Sequence, residues 1–464
     1  MFILDHHSKL PLYTQLYDQM KAGVLSGKLP SHSKLLSVRE LAAELSISRN
    51  TVENAYLELC AEGYIYSKPR SGYFVSALAP DALPLPSPRI KEQRAHLPEP
   101  EPKGSIDFHP ARLDPDTFPT SLWRRCFLDS LRQSRSALAQ YGAPQGELRL
   151  RSSIRRYLER SRGVACDPEQ VVICSGLQQS LDLVAQILKE RRPAVAVENP
   201  GFHLPRSIFR NHGFETVPIA VGSGGLDLDA LESSGATLVY VTPSHQFPTG
   251  CVMPIANRLS LIEWANAGDR LVIEDDYDSE LRYHGKPIPS LQGLHPDGNI
   301  VYLGTFSKVL SPALRVSYLV LPYALLSAYR RLFRDYACTV SLLEQATLAR
   351  FMEQGDWDRH LRRMRTLYQK KHDAMLRAVE THFGPKALVL GQGAGLHMVL
   401  ELSQHDLSEK ELISRARSKG IELFPYSATC AEEVGSCSRV VLGFGGVKPD
   451  VIDRGVELLS RAWY

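Results

Sequence analysis

Gly304-Thr305-Phe306-Ser307-Lys308, followed seven residues later by Arg315, is the stretch whose reading decides the fold. It lies between two apolar runs, Asn299-Ile300-Val301-Tyr302-Leu303 and Val316-Ser317-Tyr318-Leu319-Val320-Leu321, whose composition predicts buried strands. A lysine between buried strands needs a paired charge or a use for its amine. Desolvation lowers an amine's pKa and makes it the nucleophile that Schiff-base formation with an aldehyde requires. The small residues before it admit a bulky ring, and Arg315 offers a fork for a phosphate. Upstream, Arg270-Leu271-Val272-Ile273 reads as a strand running into Glu274-Asp275-Asp276-Tyr277-Asp278. A carboxylate there can hold a pyridinium nitrogen protonated, and a tyrosine two residues on lies on the same face of a strand. Lys308 by itself reads as an ordinary exposed lysine and the acidic run as a solvated turn. The Asp, Tyr, Lys and Arg in this order between strands favour a binding site instead.

At these residues the chain resembles the fold-type-I aminotransferases, which bind pyridoxal 5'-phosphate (PLP). The resemblance implies that Lys308 forms the Schiff base, Asp275 pairs with the ring nitrogen, Tyr277 contacts the ring hydroxyl and Arg315 binds the phosphate, with Thr305 among the cofactor-binding residues. Earlier in the chain, strand-like Val171-Val172-Ile173-Cys174 leads into Ser175-Gly176-Leu177-Gln178, which opens a helix. Small residues at such a turn leave free N–H groups and the positive end of the helix dipole facing an anion. Ser175, Gly176, Leu177 and Gln178 are therefore the expected phosphate cup.

The same resemblance extends outward. Phe202 is expected to stack on the ring, or else to be a core aromatic. Tyr141, before Gly142 and Gly146, matches a tyrosine that reaches a neighbouring subunit's phosphate, or else is a partly buried loop aromatic. Ala111 stands where many relatives have glycine, and its methyl narrows the substrate side. Arg439 is the candidate for an effector's carboxylate, against a plain surface arginine at a strand start. Leu204 occupies the position of a second carboxylate-binding arginine in GABA-sensing relatives, with Arg206 out of register, which argues against GABA as effector. His245-Gln246-Phe247-Pro248-Thr249-Gly250 carries Phe247 where ordinary aminotransferases have asparagine, so one polar hand on the cofactor is missing. The Arg- and Lys-rich region from Tyr329 to Leu376 reads as long helices with a solvated charged face.

The chain's 464 residues exceed what one core supports and predict two or three domains. A formal net charge of +3 predicts no strong non-specific attraction to polyanions, so any DNA binding must be local. The eight cysteines form no CxxC pair and no metal-spaced cluster, and no leader or membrane-length apolar run is evident, which implies a reduced, cytoplasmic protein without a metal.

The first eighty residues have a different pattern. Leu12, Leu16 and Met20 share one helical face, with Gly27 as the expected stop. Ser37 with Glu40 forms a capping box for Val38–Leu45, and a short turn leads to a second helix from Ser48, whose apolar face is Val52, Ala55, Tyr56 and Leu59. Tyr64-Ile65-Tyr66 and Tyr73-Phe74-Val75 read as a hairpin. Two short helices, a tight turn and polar residues opening the second fit a helix-turn-helix, which places that helix's N-terminal side chains at base edges. This part resembles the GntR-type winged helix in Val38-Arg39-Glu40-Leu41-Ala42 and Ser48-Arg49-Asn50-Thr51-Val52, departing at Leu36 and at the acidic Glu53. The candidate DNA contacts are Arg39, Ser48, Arg49, Asn50 and Thr51, with Lys68 and Arg70 on the wing for phosphates. Residues 1–76 hold eight Lys/Arg against seven Asp/Glu, so useful affinity calls for paired heads. A helical protein-interaction module is the other reading of this unit.

The expected organisation is a winged helix-turn-helix domain rich in α-helix over 1–78, a Pro-rich spacer over 79–103, and an α/β fold-type-I aminotransferase-like domain over 104–464, the last with a large mixed sheet and a smaller α+β subdomain. Winged helix, spacer and aminotransferase-like domain in that order resemble the MocR/GabR family of PLP-dependent transcriptional regulators. The resemblance implies a homodimer that binds double-stranded promoter DNA and senses an amine, an amino acid or PLP itself through the Schiff base on Lys308. A genuine aminotransferase with an accessory DNA-binding head is the alternative.

Overall fold

Reciprocal hydrogen bonds start the second helix: the Glu40 N–H donates to Ser37 Oγ at 3.2 Å, and the Ser37 N–H donates to Glu40 Oε2 at 2.9 Å. The structure, a computed structural model, describes residues 2–6, 8, 10–77, 105–134, 136–190, 194–283, 288–403, 407–432 and 438–464. The chain divides into two units, residues 1–100 and 101–464. The expected spacer over 79–103 lies outside the described residues.

In the first unit, helices α1 (Leu12–Leu25), α2 (Val38–Glu44) and α3 (Arg49–Ala61) precede strands β1 (Ile65–Lys68) and β2 (Gly72–Val75). Leu16, Met20, Leu41, Val52, Ala55, Tyr56 and Leu59 bury the helices' shared faces, and Ile65 and Val75, paired across the antiparallel ribbon, close the core. Gly27 and Gly63 stand just beyond α1 and α3 with φ of +74° and +79°, a left-handed stop that glycine adopts without a Cβ penalty. This is a winged helix.

The second unit contains strands β3 (Ile106–Asp107), β4 (Val171–Cys174), β5 (Val195–Asn199), β6 (Thr216–Gly222), β7 (Gly225–Leu226), β8 (Leu238–Val241), β9 (Leu271–Asp276), β10 (Ile300–Thr305) and β11 (Ser317–Val320). Except for β3, these form an eight-stranded sheet in the order β4-β11-β10-β9-β8-β5-β6-β7. β10, β9, β8, β5 and β6 are parallel neighbours, while β11 runs antiparallel between β10 and β4. The near-continuous apolar runs of the central strands follow from helices covering both faces. The smaller part carries β12 (Ala387–Leu390), β13 (His397–Leu402), β14 (Ile421–Glu422), β15 (Phe424–Pro425) and β16 (Arg439–Gly443). β12-β13-β16-β15 form an antiparallel sheet, and β14 pairs in parallel with β3. The mixed sheet and smaller α+β part are as expected.

Three helices, Tyr323–Leu332, Leu342–Glu353 and Asp356–His382, occupy the charged stretch. One of its cations departs from a solvated face. Lys371 is fully buried, donating to Asp114 Oδ2 at 2.8 Å and to the Gly445 carbonyl at 2.9 Å, which satisfies its charge. Among the described residues no helix is long and apolar enough to cross a membrane.

Candidate functional site

The carboxyl ends of parallel strands gather the polar residues of the second unit, the place where open α/β sheets bind ligands. Asp275 is next to last in β9, Thr305 ends β10, and Thr242 follows β8. There a cavity of about 370 Å³ is lined by Leu177, Gln178, Phe202, Asp275, Tyr277, Thr305, Lys308 and Arg315, all expected site residues. Ala111, Leu204 and Phe247 share this wall.

Lys308 Nζ donates to the Pro110 carbonyl at 3.2 Å. Burial pulls the amine below its ordinary pKa, against the opposing charges of Asp278 and Asp275. Burial drives Asp275 up to about 7; its hydrogen bond from the Tyr240 hydroxyl opposes this, and the charges of Asp276, Asp278 and Glu198 add to it. Among the described residues no lysine or arginine forms an ion pair with Asp275. Burial, then Asp278 and Asp275, hold the Tyr277 hydroxyl well above its usual range, so it stays protonated.

Gly176, at φ +81°, opens the helix Gly176–Leu188, and the exposed guanidinium of Arg315 lies across it. Arg315 itself adopts φ +52° and donates weakly to the Ser175 carbonyl at 3.5 Å. Ser175 and Gly176 sit behind Arg315 and do not line the cavity. The Ser175 N–H is already given to Gln179 Oε1 at 2.6 Å, so within the expected cup the N–H groups from Gly176 onward remain for a phosphate.

Two expected residues lie elsewhere. Tyr141 is 94% exposed and outside the cavity wall. Arg439 donates to Glu401 Oε1 at 3.2 Å and stands 5.4 Å from the Tyr426 ring centroid. Val441 pairs with Phe424, whose ring lines the cavity, so Arg439, two residues along β16, emerges on that same sheet face. Arg206 is turned to the Cys430 carbonyl at 3.2 Å and does not line the cavity either.

His109, Tyr240, Thr242 and Phe424 also line the site, and sequence reasoning passed over them. Tyr240 left a readable trace, a single hydroxyl in the apolar run Leu238–Val241. His109 and Phe424 left none, since they arrive from distant segments. Phe247 fills its place with aromatic contacts, its ring centroid 5.8 Å from that of Phe202 and 4.9 Å from that of His397.

PLP fits this donor set. It is a ring with a basic nitrogen, a hydroxyl, an aldehyde and a phosphate. Asp275 is a carboxylate raised by its burial, Lys308 a depressed amine, Tyr277 a protonated phenol, and Arg315 a fork beside a helix N-terminus.

In the first unit Ser48 caps α3 by accepting from the Thr51 N–H at 3.1 Å, and Ser48 Oγ lies 2.8 Å from Thr51 Oγ1. The cap exposes Arg49 and Asn50 at the helix start, with Arg39 exposed on α2. On the wing, Lys68 Nζ stands over Phe74 and Tyr66, 4.9 and 5.6 Å from their ring centroids, while Arg70 turns the hairpin at φ +60°.

Residues 114–458 match the family described as aminotransferase class I and II, and residues 12–75 match the bacterial regulatory proteins of the gntR family. The chain is 41% identical over 464 residues to an uncharacterized HTH-type transcriptional regulator, YdeL, of Bacillus subtilis (strain 168), covering 99% of this chain and 98% of the relative. It is 33% identical over 477 residues to the probable rhizopine catabolism regulatory protein MocR of Rhizobium meliloti, covering 100% of this chain and 96% of the relative. Among solved structures, LysN, an alpha-aminoadipate aminotransferase from Thermus thermophilus complexed with N-(5'-phosphopyridoxyl)-L-leucine, aligns with a TM-score of 0.69 and 29% identity, over 78% of this chain and 92% of that chain.

Proposed function

The chain belongs to the gntR-family transcriptional regulators that carry an aminotransferase class I and II domain, the MocR/GntR type, and from that premise we propose that its second unit is an amine sensor controlling the first unit's binding to promoter DNA. The cofactor of this domain is PLP. The observation that carries the proposal is the convergence of Lys308, Asp275, Tyr277 and Arg315 on one cavity.

When bound, PLP supplies an aldehyde that condenses reversibly with amines. Lys308 would hold it through its ε-amine, Arg315 and the start of the helix Gly176–Leu188 would receive the phosphate, and Asp275 would pair with the ring nitrogen. Tyr277 would meet the ring hydroxyl, and Phe202 would cover the ring face. An amino-acid effector would place its amine beside Lys308 and its carboxylate on Arg439, in exchange for Glu401. That exchange is inexpensive, because both members of the pair are about one-third exposed. Tyr141, 94% exposed and outside this chain's cavity wall, would reach the phosphate of a second copy in a homodimer.

An effector that binds one arrangement of the smaller sheet better than another shifts the population towards it. Residues 79–103 carry that shift to two heads, whose Arg39, Ser48, Arg49, Asn50 and Thr51 read bases while Lys68 and Arg70 hold phosphates. PLP itself is the other candidate signal, with Lys308 as receptor.

Titrating the PLP-loaded chain with a panel of amines, while following its visible absorbance and its affinity for promoter DNA, tests the proposal. A stable spectral change with one amine and a matching change in DNA affinity is the expected result. Sustained keto-acid production without a DNA effect would instead establish an aminotransferase with an accessory head.

A further inference from the structure

His245 follows β8 and is only 1% exposed. Its Nδ1 lies 2.9 Å from Asp278 Oδ2 and 3.0 Å from the Tyr277 hydroxyl oxygen. Its Nε2 is buried and has no hydrogen-bond partner among the described residues. An ionised carboxylate only accepts, so the contact with Asp278 requires a proton on Nδ1. With that proton in place, Nδ1 cannot accept from Tyr277. It offers its N–H to the phenol oxygen as well, and the phenol's own proton is left to point away from His245.

Tyr277 is one of the residues that line the cavity, so a proton freed from His245 is available to a ligand there. The unpartnered Nε2 is consistent with this order of causes. The tautomer is set by Asp278, and the imidazole keeps a buried lone pair on Nε2 unsatisfied among the described residues.

The segment that leads into β13 presses on the same pair. Gly395, at φ +76°, approaches so closely that a Cβ there would stand 2.0 Å from His245 Cε1 and 2.6 Å from Asp278 Oδ2. Its N–H donates to the Leu281 carbonyl at 2.8 Å. Two residues on, the His397 ring centroid is 5.0 Å from that of His245, and His397 Nε2 is 3.1 Å from the Pro248 carbonyl.

We propose that His245, held as an Nδ1–H donor by Asp278, is a positioning residue that aims the Tyr277 hydroxyl at the cofactor's ring hydroxyl, and that the Gly395–His397 segment seats it. The inference rests on the reading of the cavity as a PLP site. Because His245 acts through Tyr277, its effect must vanish when Tyr277 has no hydroxyl.

A double-mutant cycle on the full chain tests this, with PLP dissociation constant and the wavelength of the PLP absorbance band as readouts. His245→Phe should weaken PLP binding roughly tenfold and move the band, and it should add nothing in a Tyr277→Phe background. Asp278→Ala, which removes the acceptor for the Nδ1–H, should reproduce the band shift, and serves alone if His245→Phe does not melt cooperatively. His245→Asn, which keeps an N–H near the Nδ1 position, should retain most of the affinity. Unchanged PLP binding and band in His245→Phe or Asp278→Ala, or effects that add fully to those of Tyr277→Phe, would overturn the proposal. A parent chain with no PLP band defeats the PLP reading itself and is told apart by appearing before any cycle is run.

Discussion

The Arg315 guanidinium lies directly over the Cα of Gly176, so that a Cβ at residue 176 would stand 2.2 Å from Nη2. Two segments 139 residues apart thus share one feature. The glycine lets the arginine rest at the start of a helix, and the helix dipole and guanidinium then act together on an anion. Gly176→Ala should weaken PLP binding at least tenfold by displacing Arg315 and straining φ +81°. Arg315→Lys should lose most of the same affinity, because a point charge does not replace the fork. PLP titration of both variants measures it.

Lys308→Ala should abolish the covalently held visible band while leaving reversible PLP binding through Arg315 and Asp275. Absorbance after dialysis decides this. A band that survives dialysis in the variant refutes the role of Lys308.

Asp275 carries a testable pH dependence. Its folded pKa of about 7 exceeds the ordinary carboxylate value, so the folded state holds the proton more tightly than the unfolded state. The associated stability is complete below about pH 4 and is lost as pH rises through about 7. Without PLP, Asp275→Asn should flatten part of that decline and raise stability at pH 8, on the order of 2 kcal/mol. The same variant should bind PLP more weakly. Denaturant unfolding at pH 4, 6 and 8, with and without PLP, measures both effects.

Glu401 competes for Arg439 in the proposed effector site. Glu401→Ala should improve the response to amino acids several-fold and leave simple amines unaffected, whereas Arg439→Ala should impair amino acids alone. Parallel dose-response curves with an amino acid and its decarboxylated amine separate these outcomes.

In the first unit, Arg49→Ala should cost about 1–3 kcal/mol of promoter affinity and relax sequence preference, while Lys68→Ala should weaken all sequences alike and lower the salt slope by about one. Binding measured over a salt series on specific and scrambled DNA distinguishes base reading from phosphate contact.

The sequence by itself determined the elements and the order of the chemistry. Local rules sufficed for the Ser37–Glu40 capping box, the left-handed stops at Gly27 and Gly63, and the buried strands around Lys308, because each depends on neighbours within a few residues. Asp275, Tyr277, Lys308 and Arg315 were legible for a related reason, since they sit at strand ends whose hydrophobic runs mark them.

Only the tertiary structure decided which distant groups meet them. Tyr240 reaches Asp275 because β8 and β9 are adjacent and parallel, a pairing the strands' own residues do not encode. It also held Arg439 off the cavity wall, beside Glu401 on β13, and it buried Lys371 within a charged helix, where Asp114 neutralises it. The His245–Asp278–Tyr277 arrangement belongs to this second class. It depends on a loop after one strand and a turn after another, brought within hydrogen-bond range by packing, with a glycine just before β13 pressed against them. Periodicity and capping act over a few residues, whereas a buried polar contact depends on the path of the whole chain.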